Sequence, residues 1–302
     1  MRQPLRILYR GPLASCNYGC TYCPFAKQVD SREELAADYA ALDRFVSWVG
    51  ERGEPTAVLF TPWGEALIRR PYQDALIALS NMAHVEVAAI QTNLSMELDW
   101  VSECVADRLG IWATYHPDWT ERGRFVARVA GLFAAGVRVS VGVVGFKHLA
   151  DEIAALRDEL PDGVYLWINA YKREPDYYQP DDIAAFEAID PLFRLNTVHH
   201  PSAGLSCRAG VSVISVDGDG TMRRCHFIRE PIGNIYDPDH RQALGERPCS
   251  NQTCGCHIGY VHLDSLGLHE VFGRGILERI PARPLWRIGQ SGQSGQGPGQ
   301  RG

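Results

Sequence analysis

The sequence predicts an α/β fold, a partial (β/α)6 TIM-like barrel followed by a small C-terminal unit of β-hairpin and helices. Three observations carry this. Strand-like runs begin near Leu5, Thr56, Val85, Gly110, Val137 and Val164, and after a first interval of 51 residues the starts recur every 25 to 29, as repeated β-α units do. Runs such as Val137 to Val144 are β-branched and almost continuously apolar, as strands covered on both faces must be. The regularity then stops after Asn169. Six parallel units suit a partial barrel, with an open doubly wound sheet as the competing arrangement.

The long first interval is explained by a cysteine-bearing loop inserted between the first strand and its helix. That helix opens on a capping box, Ser31-x-x-Glu34, runs through Leu35, Tyr39, Leu42, Phe45, Val46 and Val49 at helical spacing, and has Gly53 just beyond its end. Further helices are expected over 71–82, 96–108, 120–135 and 148–160, with Cys104 in the second of these read as buried packing. Residues 171–180 read as a loop and 181–193 as one more helix. From Arg194 the pattern changes to two short β runs, 211–216 and 221–227, around the turn Asp217-Gly218-Asp219-Gly220. Residues 289–302 contain six glycines and four glutamines and no apolar anchor, the composition of a disordered tail. The expected division is therefore 1–193, 194–288 and 289–302.

With 302 residues and 45% apolar content the chain can bury a large core. Its formal charge of −6 provides no basic field to draw in nucleic acid or an anionic membrane. No apolar run approaches the roughly 18 to 20 residues of a membrane span, and Met-Arg-Gln-Pro-Leu-Arg leads into a strand-like run instead of a signal-peptide core. A cytoplasmic protein is expected. Eight of the nine cysteines fall in two groups, which in a reducing compartment points to metal or redox chemistry more than to disulfides.

The residues that invite a chemical reading all follow strands. Cys16 to Cys23 follow the first, Thr61-Pro-Trp-Gly-Glu65 the second, Gln91-Thr-Asn93 the third, Tyr115-His-Pro117 the fourth, Gly145 the fifth and Asn169 the sixth. In barrels that end is the active face. Cys16-x3-Cys20-x2-Cys23 supplies three thiolates for three irons of a [4Fe-4S] cluster, and with no fourth cysteine nearby one iron stays open. A zinc knuckle and a thioredoxin-like dithiol are the alternatives. Structural zinc takes four ligands, yet the nearest histidine in sequence is His84, and a dithiol leaves Cys16 unexplained.

From Leu5 to Asn169 the chain resembles the radical S-adenosylmethionine (SAM) superfamily, through the C-x3-C-x2-C spacing and Tyr22 before the third cysteine. The resemblance implies that Cys16, Cys20 and Cys23 ligate the cluster, that SAM chelates the open iron through its amino and carboxylate groups, and that Tyr22 lies near the adenine. The family's Gly-Gly-Glu segment, which binds the methionine ammonium, corresponds to Trp63-Gly64-Glu65; Glu65 keeps the carboxylate that an ammonium needs. Trp63 departs from the pattern and would be costly if that position required a positive φ. Thr92-Asn93 resembles the Thr-Asn that reaches the SAM ribose or carboxylate, with capping of the next helix as the alternative for Asn93. His116 and Asn169 are candidates to face SAM or substrate, or to be satisfied polar residues at strand ends.

Cys207 and Cys225, with Gly220 followed by four residues before Cys225, resemble the opening of the SPASM and twitch auxiliary-cluster domains. Cys249, Cys254 and Cys256 follow. Five cysteines fit a shortened version with one auxiliary [4Fe-4S] cluster and a thiol to spare. Cys207 and Cys225 are the firmer pair, and Cys254 and Cys256 are preferred to Cys249 for their position before Gly259-Tyr260; structural zinc is the alternative. Arg223, Arg224 and Arg229 read as a solvated hairpin face, with contact to an acidic substrate as the alternative.

The resemblance implies a radical SAM enzyme that reductively cleaves SAM to a 5′-deoxyadenosyl radical for hydrogen abstraction, with peptide or protein side-chain modification as the expected use. It needs a low-potential electron donor of flavodoxin or ferredoxin type. The alternatives are a small-molecule radical dehydrogenase and a non-catalytic zinc or iron-sulfur binding module. No nucleic-acid or membrane partner is expected.

Overall fold

The computed structural model describes residues 4–23, 25 and 28–285; the tail expected at 289–302 lies outside them. Strands and helices alternate through the first part: β1 (Leu5–Arg10), α1 (Arg32–Arg52), β2 (Thr56–Phe60), α2 (Arg70–Asn81), β3 (Val85–Thr92), β4 (Leu109–Tyr115), α3 (Arg122–Ala134), β5 (Arg138–Val144), α4 (Ala150–Glu159) and β6 (Tyr165–Asn169). Then come α5 (Pro180–Ile189), α6 (Phe193–Thr197), β7 (His200–Pro201), β8 (Val213–Asp217), β9 (Thr221–Arg223), β10 (Pro231–Asn234), β11 (Thr253–Cys254), α7 (His257–Tyr260) and α8 (Leu268–Phe272). The capping box of α1 forms as its sequence dictates. The Ser31 hydroxyl accepts from the Glu34 N–H, the Glu34 carboxylate accepts from the Ser31 N–H, and Gly53 closes the helix at φ 62°.

The helix expected over 96–108 does not form. Two short 3-10 turns, Asp99–Glu103 and Ala106–Arg108, take its place. Polar side chains compete for the backbone there: the Ser102 hydroxyl donates to the Asp99 carbonyl, and the Asn81 amide donates to the Glu103 carbonyl. The one buried anchor is Trp100, while Cys104 is half-buried against the core.

Nine strands form one sheet in the order β10-β9-β8-β1-β2-β3-β4-β5-β6. Strands β1 to β6 are parallel, β8 adds in parallel to the free side of β1, and β9 and β10 continue antiparallel. Side chains alternate between two cores, as the period of a strand requires. Ile7, Tyr9, Val58, Phe60, Ile90, Ile111 and Val141 pack with residues from all of α1 to α5. Leu8, Leu59, Val87, Trp112 and Trp167 face the other way and are covered by Tyr260, Leu263, Leu268, Phe272 and Leu277 from the C-terminal segment. Helices α1 to α5 on one face and sequential strand order exclude the doubly wound arrangement, which has helices on both faces. The chain is a mixed α/β fold on a large, mostly parallel sheet.

The C-terminal segment is latched into the inner face. Glu278, fully buried, accepts from Nε and Nη2 of Arg138 at 2.8 and 2.5 Å, and its carbonyl accepts from the Ser140 hydroxyl. Arg279 stacks its guanidinium 3.3 Å from the centre of the Trp167 ring, a favourable cation-π placement in a buried setting.

Candidate functional site

The loop after β1 is fixed by two carboxylates. Asp38 on α1, 1% exposed, accepts from the Leu13 N–H and the Tyr72 hydroxyl; burial pushes its carboxyl up to about 6. Asp30 accepts from the Ala14 and Ser15 N–H groups and the Ser15 hydroxyl at 3.1, 2.8 and 2.6 Å. The same loop is laced to the segment after β2, where the Trp63 N–H donates to the Leu13 carbonyl and the Glu65 N–H to that of Ser15. Gly64 sits between these two bonds. A Cβ there would lie 1.9 Å from the Ser15 carbonyl oxygen, so glycine is required by close backbone approach. Trp63 carries no penalty, since Leu94, Asp176 and Arg279 are the only described non-glycine residues at positive φ.

This lacing brings Cys16, Cys20 and Cys23 to one cavity of about 170 Å³ with Gly64, Glu65, Thr92, Asn93 and His116. The Tyr18 N–H donates to Cys16 Sγ at 3.3 Å and the Phe25 N–H to Cys23 Sγ at 3.4 Å; at Cys16 burial outweighs that bond and raises the thiol. Among the described residues no three His, Cys, Asp or Glu side chains are grouped as ligands of a single metal ion. A cubane spreads its thiolates over three separate irons, so three cysteines opening on one cavity fit that group.

Glu65 is 3% exposed. Its Oε1 accepts from the Leu67 N–H and the Thr92 hydroxyl, and its Oε2 from the Asn93 N–H at 2.6 Å. A carboxylate has room for about four donors, so three tie the loops after β2 and β3 together and one position stays available for a further donor. Burial, against these three bonds, raises its carboxyl to about 7. Asn93 caps no helix. Its Oδ1 accepts from the Ser95 N–H, and its Nδ2 donates to Asn17 Oδ1 at 2.9 Å and lies 4.0 Å from Cys16 Sγ, so it braces the cysteine loop.

Tyr22 and His116 meet beside this cavity. The Tyr22 hydroxyl is 2.7 Å from His116 Nδ1, and their rings stack at 16°. Burial lowers His116 to about 4, which leaves a neutral ring whose Nδ1 faces both the Tyr22 hydroxyl and, at 3.5 Å, Cys20 Sγ. Tyr22 also lines a neighbouring cavity of about 350 Å³ with Tyr115, Phe146 and Tyr171. Asn169, at the end of β6, is exposed and does not line the cysteine cavity.

Sequence reading overlooked Arg10. It ends β1 on the same side as Leu8, lines the cysteine cavity, and is 8% exposed. Its guanidinium lies 3.9 Å from the Trp63 ring centre and 5.7 Å from that of Phe25. A charged residue closing the apolar run Ile7-Leu8-Tyr9 was the available signal.

The second group of cysteines, Cys207, Cys225, Cys249, Cys254 and Cys256, lines another cavity, of about 440 Å³. Burial pushes the Cys225 thiol up to about 11 and that of Cys254 to about 12, and other cysteines add to both shifts: Cys207 and Cys249 act on Cys225, and all four act on Cys254. Cys256 differs. Burial raises its thiol as well, opposed first by the bond from the Ile258 backbone and then by the cations Lys172, Arg279 and Arg10. A Cβ on Gly259 would lie 2.7 Å from Cys254 Sγ, so glycine makes room for that sulfur. Arg224 is not on a solvated face. It is 5% exposed and its Nη1 donates to the carbonyls of Arg247 and Pro248, which draws the irregular segment before Cys249 toward the hairpin.

No protein-family model matches the chain, and no curated protein does. Solved structures do. One, a histidine-tagged anSMEcpe with bound AdoMet, is 17% identical with a TM-score of 0.52, covering 80% of each chain. A second, native anSMEcpe with bound AdoMet, is 16% identical with a TM-score of 0.51 over 80% of this chain and 83% of that one. A third, native anSMEcpe with bound AdoMet and Kp18Cys peptide, is 14% identical with a TM-score of 0.50 over 79% and 80%. The chain shares its fold with these AdoMet-bound structures.

Proposed function

We propose that this chain is a radical SAM enzyme with one SAM-binding and one auxiliary [4Fe-4S] cluster, acting on a peptide or protein side chain. Residues 1–193 form the partial (β/α)6 barrel core in this reading, and 194–288 the SPASM- or twitch-like unit. The observation that carries it is the convergence of Cys16, Cys20 and Cys23 with Glu65, Thr92 and Asn93 on one cavity at the C-terminal ends of β1, β2 and β3. The peptide reading is supported by the peptide bound in one anSMEcpe structure.

Cys16, Cys20 and Cys23 would hold the first cluster, which would supply an electron from a low-potential donor of flavodoxin or ferredoxin type for the cleavage of SAM into methionine and a 5′-deoxyadenosyl radical. The chain's own residues orient the reactant. Glu65 takes the methionine ammonium at its remaining acceptor position, while Thr92 and Asn93 hold the loop that carries it. The aromatic cavity of Tyr22, Phe146 and Tyr171 suits an adenine ring. In the second site Cys207, Cys225, Cys249, Cys254 and Cys256 line one cavity, and four of these five would hold the auxiliary cluster.

Anaerobic reconstitution with iron and sulfide tests this reading: about eight irons per chain and 5′-deoxyadenosine after reduction are expected. A chain that holds only zinc and leaves SAM intact sinks it. Replacing Cys207 and Cys225 with alanine is expected to remove about four irons and to leave the first cluster's spectroscopic response to SAM; loss of that response refutes the division into two sites.

SAM affinity is expected to depend on pH through Glu65. Its carboxyl is raised to about 7 by burial, so below that value the group is largely neutral and attracts an ammonium less. Affinity is expected to fall about tenfold per pH unit below about 7 and to level off above it. Equilibrium dialysis of Glu65→Gln checks this, because the slope vanishes with the titrating group. A slope that survives the substitution assigns it elsewhere.

A further inference from the structure

Arg10 carries a buried charge that the protein leaves incompletely answered. It is 8% exposed, yet its Nε and Nη1 have no hydrogen-bond partner. Its register partner across the sheet, Asp217, gives its carboxylate to Arg223, and no acidic side chain pairs with Arg10 among the described residues. Trp63 and Phe25 fix the guanidinium by their ring faces and add no acceptor. The Cys256 thiol is the one group of opposite sign that acts on it, and it does not bond Nε or Nη1, so the guanidinium keeps donors at the cavity wall for an anion.

Two cavities meet at this residue. Arg10 and Trp63 line both the cysteine cavity and a larger one of about 730 Å³ that includes Ser215, His226 and Arg229 of the hairpin region. His226 lies 6.1 Å from the Trp63 ring, and its Nδ1 is 3.5 Å from the Ser215 hydroxyl. A group entering from the hairpin side therefore meets the guanidinium where the larger cavity joins the one that holds the three thiols.

We propose that Arg10 binds an oxyanion carried by the substrate, a carboxylate or a phosphate, and so sets the reacting part of that substrate beside the cysteine cavity. The proposal rests on the radical SAM reading for the identity of the reaction. In that reading SAM's own carboxylate is taken by the open iron, which leaves Arg10 for a second molecule.

The test uses reconstituted enzyme with SAM present and measures equilibrium binding of inorganic phosphate and of acetate to the wild type, Arg10→Gln and Arg10→Lys. One of the two anions is expected to bind the wild type and to lose about ten- to hundredfold in affinity in Arg10→Gln, with a smaller loss in Arg10→Lys; the anion that binds names the class. SAM and decarboxylated SAM are measured in parallel, and their affinity ratio is expected to be the same in all three proteins. Failure of both anions to bind the wild type, or unchanged binding in Arg10→Gln, overturns the proposal. So does a ratio that collapses in Arg10→Gln, because SAM's carboxylate is then the anion held. If Arg10→Gln loads no cluster, Arg10→Lys decides, since it keeps the charge but loses the planar fork, and an unchanged affinity there overturns the proposal. A wild type that binds phosphate but not SAM instead sinks the radical SAM reading alone.

Discussion

Replacing Cys16, Cys20 and Cys23 together with alanine is expected to halve iron uptake, from about eight to about four irons per chain, and to abolish 5′-deoxyadenosine formation. The fold should survive. Cys16 and Cys23 are half-buried and only Cys20 is packed closely, at 6% exposure, so the loop keeps its anchors at Asp30 and Asp38. Iron and sulfide assays with low-temperature magnetic resonance separate the two sites, and a circular dichroism melt checks the fold. A triple variant that still cleaves SAM rules out these thiols as the ligands of the reacting cluster.

Gly64→Ala is expected to bring its new methyl group closer to a neighbouring atom than at any other described glycine. The new Cβ would meet the Ser15 carbonyl oxygen at 1.9 Å, the Ser15 carbonyl carbon at 2.6 Å and that of Ala14 at 2.9 Å. All three are backbone atoms, so no side chain can swing aside. Relief requires the segments to separate, which breaks the bonds from Trp63 and Glu65 to Leu13 and Ser15. Overpacking and two lost hydrogen bonds together cost about 3 kcal/mol, a fall of about 5 to 10 °C in melting temperature for a chain of this size. Because Cys16 follows Ser15 directly, iron loading at the first site is expected to fall with it. Gly131→Ala is the control, since a Cβ there meets nothing within 4 Å inside α3 and should stabilise slightly, by about 0.5 kcal/mol. Equal melting temperatures for the two variants would contradict this account.

The parallel strands were legible because their signals are local. Each unit repeats the same alternation of an apolar run and an amphipathic helix, and the capping box and Gly53 mark α1 by chemistry confined to a few residues. The segment after β3 misled because its helical spacing is real, but Ser102 and Asn81 offer the backbone other partners. The three cysteines, Glu65 and Thr92-Asn93 could be picked out as strand-end residues, and they do share a cavity. What sequence could not supply was direction. Arg224 reads as one of several surface arginines until the carbonyls of Arg247 and Pro248 claim it. Arg10 likewise reads as a strand end, since its burial depends on Trp63, which is distant in sequence.

The addition of β8 to β1 bears on how the molecule is made. Arg6 pairs with Ala57 on one side and with Val213 on the other, so the first strand of a nascent chain has one edge satisfied early and the other only after some two hundred more residues emerge. Closing a loop of that length is slow, and until it closes β1 presents an open edge of the kind that invites pairing with another chain. The hairpin that brings Cys225 to its site is therefore also the element that ends this exposure. Its arrival should coincide with the step at which the newly synthesised protein stops being prone to aggregate.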